Sequence, residues 1–205
     1  MTKFFQLLIT CCLALVAATA SAQSTGEPKP EPLPEQTWQH IRSLRGIATQ
    51  DGMTTPSLYV FFDPNCPYSA KLWQRQVNGR PFGEIPAVWV PVTFMSQTSV
   101  GKAVALLRAN SKTELARNFT EAKLDLREGA ATPVAHTQAE WLALGRTKAV
   151  WNKLGGGTPI LAYRNKAGEA VLYMGGPADP AKWAELVSQF AAPKLSRSLN
   201  EYQGK

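Results

Sequence analysis

The feature that most constrains this fold is the unbroken apolar run Leu58–Phe62, in which branched and aromatic residues follow one another without polar alternation. Such a run is typical of a strand that is covered on both faces of its sheet. Residues 63–65 (Asp-Pro-Asn) end the run, and Pro67 suits the first turn of a helix, which we expect over residues 67–77. A second apolar run at residues 87–90 predicts another strand. Because a helix joins the two strands, we expect a parallel pair with a right-handed connection.

The stretch from Ser99 to Leu154 predicts helices, because apolar residues recur along it at helical spacing. The three apolar faces are Val100, Val104 and Leu107; Leu115, Phe119, Ala122 and Leu126; and, after a predicted break at residues 129–133, Trp141, Leu144, Trp151 and Leu154. We expect these faces to be buried core, although a partner-binding surface would show the same spacing. Further along, residues 160–163 and 170–173 predict a hairpin, and Asp179 predicts the cap of a last helix.

These elements predict an α/β architecture in one domain, over residues 36–192. Their order is strand, helix, strand, a helical insertion over about residues 97–155, a hairpin and a helix. The hairpin is expected to extend the parallel pair with antiparallel strands. Residues 23–35, where every second residue from 28 to 34 is proline, are predicted to be an extended linker. Residues 193–205 are predicted to be a polar tail.

The first 22 residues have the composition of a removable signal peptide. Lys3 supplies a positive charge, residues 4–18 are apolar, and residues 20–22 (Ala-Ser-Ala) form a small-residue cleavage site before Gln23. The apolar run is too short for a membrane span, and no run of spanning length follows it. We therefore expect export to the periplasm, with no stable membrane insertion after the signal is removed.

Removal of this signal also removes two of the three cysteines. Cys11 and Cys12 raise the alternative of a lipoprotein, but Thr10 stands where Gly or Ala usually precedes a lipidated cysteine. Cys66 then remains alone. In an exported protein an unpaired cysteine indicates a reactive thiol or an intermolecular disulfide. The alternative is an inert, buried cysteine.

The position of Cys66 favours reactivity. It lies where the first predicted strand gives way to a helix, and the leading N–H groups of a helix have no partner within that helix. The helix dipole is positive at this end, and cysteines so placed can have thiol pKa values of about 3.5–7.5 instead of about 8.5. Lys71, Arg75 and Arg80 follow closely. They either add to the stabilisation of the thiolate or form a solvated helix face.

The segment Phe61–Tyr68, followed by Lys71-Leu72-Trp73, resembles the active-site segment of the bacterial periplasmic thiol:disulfide interchange proteins DsbC and DsbG. The resemblance implies a thioredoxin-like fold with a helical insertion between an N-terminal βαβ unit and a C-terminal ββα unit. Residues 157–160 (Gly-Thr-Pro-Ile) resemble the loop of that family in which a cis-proline faces the active cysteine. The resemblance thus implies a nucleophilic Cys66 and a substrate-binding surface made of Pro67, Tyr68, Thr158 and Pro159.

The chain departs from this family at Ser69, where the family has a second cysteine. A hydroxyl cannot form a disulfide, so Cys66 and Ser69 cannot store or deliver an oxidising disulfide. Isomerase-like exchange remains feasible, because a freed thiol of the partner or a small thiol can release Cys66. Ser69 either donates a hydrogen bond that stabilises the Cys66 thiolate or is an ordinary polar residue of a first helical turn.

A second departure is that no dimerisation domain precedes the first strand. We therefore expect a monomer rather than the V-shaped dimer of the family. The predicted function is thiol–disulfide exchange through Cys66, as a monothiol protein, on exported cysteine-containing proteins or small thiols. The alternative function is a redox-inactive binding or chaperone module of a cell-envelope assembly.

Other kinds of chemistry find little support in the sequence. His40 and His136 are the two histidines, and neither is placed beside Cys66 by any local pattern, so a Cys–His protease is not indicated. One cysteine and two scattered histidines make no zinc site, and no cofactor motif is present. The formal charge of +7 falls to +6 without Lys3. The basic residues are spread along the chain without an aromatic-rich patch, so we expect no nucleic-acid partner.

Overall fold

A computed structural model describes residues 28–196 of the chain. The predicted signal peptide with Cys11 and Cys12, the first part of the predicted linker and the end of the predicted tail lie outside the described residues. Within residues 28–196, no helix is both long enough and apolar enough to cross a bilayer.

The described helices and strands follow the predicted order. The α-helices are α1 Glu35–Arg42, α2 Pro67–Gln74, α3 Ser99–Ala109, α4 Lys112–Thr120, α5 Gln138–Lys153 and α6 Pro180–Ser188, with a 3-10 turn at Phe82–Glu84. The strands are β1 Glu31–Pro32, β2 Ile47–Ala48, β3 Met53–Thr55, β4 Leu58–Phe62, β5 Gln76–Val77, β6 Arg80–Pro81, β7 Val88–Pro91, β8 Ile160–Arg164, β9 Ala170–Met174 and β10 Lys194–Leu195.

One mixed sheet organises the protein, with the strand order β1-β9-β8-β4-β7-β2. Strands β4 and β7 are parallel, and Val60 stands beside Trp89 in their register. Strand β8 is antiparallel to β4, with Leu161 beside Val60, and β9 continues the hairpin. The predicted parallel pair and its antiparallel extension are both present. Strand β4 therefore lies in the interior of the sheet, and Cys66 follows its carboxyl end.

Strand β4 is buried along its whole length because helices cover both faces of the sheet. Leu58, Val60 and Phe62 point into one core cluster, together with apolar residues of α2, α4 and α6. Tyr59 and Phe61 point into a second cluster, built with residues of α1 and α5. This two-sided burial explains why the run lacks the polar alternation of a half-exposed strand.

The predicted linker is corrected at its carboxyl end. Glu31 and Pro32 pair with Leu172 and Val171 of β9, and form an edge strand of the main sheet. Leu33 is buried in the second core cluster. An edge strand tolerates proline because one side of it makes no ladder hydrogen bonds. The predicted tail needs a similar correction, since Lys194–Leu195 pairs with β3.

Two predicted helices are shorter in the structure. Helix α2 ends at Gln74, because the chain turns at Asn78 and Gly79, both with positive φ, into the small hairpin β5–β6. In the insertion, the break predicted at residues 129–133 is wider in the structure, where no helix is formed from Glu121 to Thr137.

Two side chains that were predicted to face the core are instead exposed. Leu126 is 64% exposed and lies on a turn closed by a bridge between Lys123 and Glu128. Trp141 is 50% exposed and stacks on His136.

Candidate active site

Cys66 occupies the N-cap position of α2. The Cys66 N–H donates to the carbonyl of Asp63 at 2.9 Å, and the Ala70 N–H donates to the Cys66 carbonyl at 3.1 Å. Among the described residues, no side chain caps this helix end. The sulfur therefore lies beside the N–H groups of the first helical turn, which have no partners within the helix. This is the placement that the sequence predicts.

The loop before β8 faces Cys66. The Thr158–Pro159 peptide bond is cis, as the family resemblance implies, and the Cys66 thiol donates to the Thr158 carbonyl oxygen with a sulfur–oxygen distance of 3.5 Å. The indole N–H of Trp151 donates to the Gly157 carbonyl at 2.6 Å, which holds the loop from its other side. The ring of Trp151 also stacks on Phe94, with 4.8 Å between the ring centres.

Two hydroxyls in the same region have no partner. The Ser69 side chain is buried, and neither its Oγ nor the Oγ1 of Thr158 makes a hydrogen bond with any of the described residues. A hydrogen bond from Ser69 to the Cys66 thiolate is one of the two alternatives for this residue; in the structure the thiol donates to Thr158 and Ser69 does not contact it through a hydrogen bond. Both hydroxyls are therefore buried donors without an acceptor among the described residues.

A groove opens in front of the cysteine. One cavity of about 530 Å³ is lined by Cys66, Pro67, Tyr68, Lys71, Phe94, Met95, Leu124, Asp125, Arg127, Gly157 and Thr158. A second cavity, of about 360 Å³, also has Tyr68, Lys71 and Thr158 in its wall and adds Pro159 and Trp183. Tyr68 is 66% exposed, whereas Cys66 is only 3% exposed. The predicted substrate-binding residues therefore all border this groove.

Asp63 anchors the cysteine segment from behind. Its Oδ1 accepts hydrogen bonds from the Asn65 N–H and the Ser99 hydroxyl, both at 2.9 Å. Its Oδ2 accepts from the backbone N–H groups of Phe94 and Met95 at 2.8 and 3.0 Å. The carboxylate is fully buried, and four donors replace the water that it loses.

Asn65 and Lys102 form the second part of this support. The Asn65 amide nitrogen is within hydrogen-bond distance of three hydroxyls, those of Ser96, Thr98 and Ser99. The Lys102 ammonium, on α3, donates to the Asn65 Oδ1 at 2.9 Å and to the Gly129 carbonyl at 2.7 Å. Lys102 is 2% exposed, so its charge depends on these acceptors and on Glu128, whose oxygen is 3.7 Å away.

Asn118 and Gly129 complete the support from the insertion. The Asn118 amide donates to the Pro64 carbonyl at 3.1 Å and accepts from the Ala131 N–H at 3.0 Å. A Cβ atom at Gly129 would lie 2.1 Å from the Pro64 oxygen and 2.5 Å from the Asn118 Oδ1. Gly129 is therefore required by the close approach of two chain segments.

The sequence prediction missed the residues that hold the site. Asp63 and Asn65 were interpreted only as a strand end, and Trp151 only as core. Lys102 carried a usable signal, because a lysine among the small and apolar residues Val100–Val104 interrupts a helical face. No comparable signal marked Phe94.

The histidines lie elsewhere. His40 is exposed on α1, His136 stacks on Trp141, and neither lines the groove. Within residues 28–196, no three His, Cys, Asp or Glu side chains are grouped as a metal-binding set.

Comparison with known proteins supports the family resemblance. The chain is 24% identical over 159 residues to the thiol:disulfide interchange protein DsbG of Pseudomonas aeruginosa. The match covers 76% of this chain and 60% of DsbG, so the chain spans about three fifths of the length of that relative. No protein-family model matches the sequence.

A solved structure confirms the predicted fold. The crystal structure of a periplasmic thioredoxin-like protein from Salmonella enterica serovar Typhimurium superimposes with a TM-score of 0.51 at 18% identity. The superposition covers 77% of this chain and 97% of that protein. The protein described here is therefore an α/β protein with a thioredoxin-like fold, and its sequence is similar to that of a DsbG protein.

Proposed function

We propose that this chain acts in thiol–disulfide exchange through Cys66, as an exported monothiol thioredoxin-fold protein working on periplasmic proteins. The observation that carries the proposal is the position of the Cys66 sulfur, between the open N-terminus of α2 and the Thr158 carbonyl 3.5 Å away. The similarity to a thiol:disulfide interchange protein supports the same chemistry. Residues 1–22 would direct export, and the folded domain, which includes the edge strand Glu31–Pro32 and the pairing of Lys194–Leu195 with β3, would act as a monomer.

Disulfide isomerisation by Cys66 requires no external oxidant or reductant. The Cys66 thiolate attacks one sulfur of a disulfide in the partner, a new bond to that sulfur forms, and the other sulfur leaves as a thiolate. A free thiolate of the same partner then attacks the mixed disulfide and releases Cys66. The partner ends with a different disulfide and the same number of thiols, which is isomerisation. A small thiol can release Cys66 instead and then remains on the partner as a mixed disulfide. A second small thiol completes the reduction of the partner and leaves with the first as a small-molecule disulfide.

Each predicted site residue has a role in this reaction. The first-turn N–H groups and the unpartnered Ser69 hydroxyl would stabilise the Cys66 thiolate and the departing charge. Pro67, Tyr68, Thr158 and Pro159 line the groove and would contact the partner chain. With Ser69 in place of a second cysteine, the mixed disulfide persists until another thiol arrives.

Intact-mass spectrometry tests this proposal. The mature chain incubated with oxidised glutathione should gain one glutathione at Cys66, and the Cys66→Ala variant should gain none. Ser69→Ala should slow the addition without preventing it. In Ser69→Cys, the added glutathione should be lost, because the new thiol displaces it to form an internal disulfide. A native chain that gains no glutathione would contradict the proposal.

The near-complete burial of Cys66 favours a second candidate function, a redox-inactive binding or chaperone module that uses the groove alone. Because Cys66 is only 3% exposed, a partner disulfide can reach its sulfur only by entering deep into the groove. Complementation of a deletion strain separates the two functions. If Cys66→Ser supports growth under disulfide stress as well as the native chain does, the binding module is correct.

A further inference from the structure

We infer that the groove selects extended polypeptide segments with acidic residues close to the reacting cysteine. This inference rests on the proposed exchange reaction and adds the class of partner. The supporting features are the charges of the groove, their lack of partners and the shape of the two cavities.

The charge of the groove is positive. Lys71 lines both cavities, Arg127 lines the cavity that contains Cys66, and Arg75 lines the cavity that contains Pro159. The one carboxylate in either lining is Asp125, so three cations face one anion. Lys71 lies on α2, and Arg75 directly follows its last residue. Each cation lies over an aromatic ring, Lys71 over Tyr68 at 5.7 Å and Arg75 over Trp183 at 5.3 Å. These contacts hold the cations at the groove.

Lys71, Arg75 and Arg127 have no carboxylate partner in the part of the chain that the structure describes. By contrast, Arg108, Arg117 and Arg164 each pair with a glutamate. Arg127 also has a φ of +51°, in the left-handed region where glycine or asparagine is favoured. An arginine at this position places a charge beside the groove at a conformational cost.

The shape of the groove favours a chain over a small thiol. The two cavities share Tyr68, Lys71 and Thr158, and therefore adjoin each other on the same face. A small thiol fills one cavity, whereas an extended chain with its cysteine at Cys66 can enter both. In an extended chain, residues two positions from the cysteine are about 7 Å away from it. Acidic side chains at those positions would reach Lys71, Arg75 and Arg127.

The experiment measures the rate at which Cys66 captures peptides. Three short peptides carry one central cysteine as a mixed disulfide with 2-thiopyridine, and are identical except for Glu, Gln or Lys at the two positions on each side. Attack by the Cys66 thiolate on the peptide sulfur releases 2-thiopyridone, which is followed by its absorbance. The order Glu, Gln, Lys is expected, with about a tenfold span at low salt. The span should shrink in about 1 M salt, where the screening length is about 3 Å.

Charge-matched variants identify the residues responsible. The triple variant Lys71→Gln, Arg75→Gln, Arg127→Gln should reduce the Glu-to-Lys rate ratio to below about twofold. The control triple Lys112→Gln, Arg146→Gln, Lys148→Gln removes the same charge from exposed helix positions outside the groove, and should retain most of the ratio. The ratio is measured within each variant, so a change in the folded fraction does not affect it.

The possible outcomes separate the inference from the function on which it rests. Equal rates for the three peptides, or an unchanged ratio in the groove variant, would overturn the inference and leave exchange at Cys66 intact. Failure of every peptide to react would overturn the proposed function. A parallel series uses two small disulfides, the anionic dithiodipropionate and the cationic cystamine. The ratio of their rates of reaction with Cys66 should be smaller than the Glu-to-Lys ratio of the peptides. If the ratio for the small disulfides equals or exceeds the peptide ratio, the partner is a small thiol compound, and the inference that the groove selects polypeptides is wrong.

Discussion

Behind Cys66, the Asp63 carboxylate accepts four hydrogen bonds inside the protein. In front of it, on the groove side, the Thr158 hydroxyl makes none with the described residues. The charges differ in the same way, since Lys102 is buried among acceptors behind the segment and Lys71 lacks an acidic partner among the described residues in front of it. The rear side therefore fixes the position of the sulfur. The front side retains cations, such as Lys71, that a partner can contact.

The largest expected effect comes from disrupting the rear side at Asn65. Asn65→Ala removes one of the two close acceptors of the buried Lys102 ammonium, which keeps the Gly129 carbonyl and the more distant Glu128 carboxylate. A buried charged donor then lacks a hydrogen bond, so we expect a loss of about 3 kcal/mol in the free energy of unfolding. The double variant with Lys102→Met should recover part of this loss, because it also removes the charge. Urea unfolding measures both. The control is Asn152→Ala, at an exposed position of α5. A similar loss of stability in this control would contradict the claim that the buried contacts of Asn65 stabilise the fold.

A smaller effect is expected where the insertion meets Pro64. Gly129→Ala forces a methyl group against the Pro64 carbonyl, which should reduce stability by about 1–3 kcal/mol and slow exchange by shifting the cysteine segment. Gly145→Ala is the matched control. It lies in α5 with no atom within 4 Å of the added Cβ, so it should stabilise by about 0.5–1 kcal/mol. Equal signs for the two variants would show that the contact with Pro64 is unimportant.

On the groove side, a substitution at Arg127 should not reduce stability, in contrast to the substitutions at Asn65 and Gly129. Arg127→Gly relieves the left-handed conformation, so stability should be unchanged or rise by about 1 kcal/mol. The same change removes a cation of the groove, and capture of the acidic peptide should slow relative to that of the neutral one. Thermal unfolding and peptide capture on one sample measure the two effects. A large loss of stability would show that Arg127 is structural.

A weaker effect is expected at Glu140, a carboxylate nearer the surface than Asp63. Glu140 accepts hydrogen bonds from Arg108 and Thr137. The Arg108 guanidinium, followed by the Thr137 N–H, lowers the pKa of Glu140 from 4.5 to about 2. This carboxylate therefore adds stability above about pH 4.5, and that stability is lost as the pH falls towards 2. Glu140→Gln should flatten the decline of stability across this window, as measured by urea unfolding at several pH values. If stability falls equally with pH in the native chain and in the variant, Glu140 does not contribute to the decline.

The sequence was sufficient for the parts of the fold that local patterns encode. The two-sided burial of Leu58–Phe62, the proline at the start of α2 and the hairpin of β8 and β9 all predict their own conformations. The meeting of Cys66 with Thr158 followed from family resemblance and topology, because parallel and antiparallel neighbours bring both loops to one edge of the sheet.

The support of Cys66 was not predictable in the same way. Lys102 bonds to Asn65 across 37 positions, and Gly129 approaches Pro64 through tertiary contacts alone. Leu126 and Trp141 fit helical spacing but are exposed, because a turn and an outward helix face place them in solvent. Periodicity reports the local conformation of a segment, and these contacts depend on how distant segments meet.

The burial of Lys102 has a consequence for measuring motion in this protein. A primary amine that is 2% exposed and bonded to Asn65 and Gly129 is shielded from acylating reagents. Its slow acetylation, followed beside that of exposed lysines by peptide mapping, would therefore time the transient openings of this region. Comparing the acetylation rate of Lys102 with and without a bound partner would show whether binding in the groove makes these openings rarer.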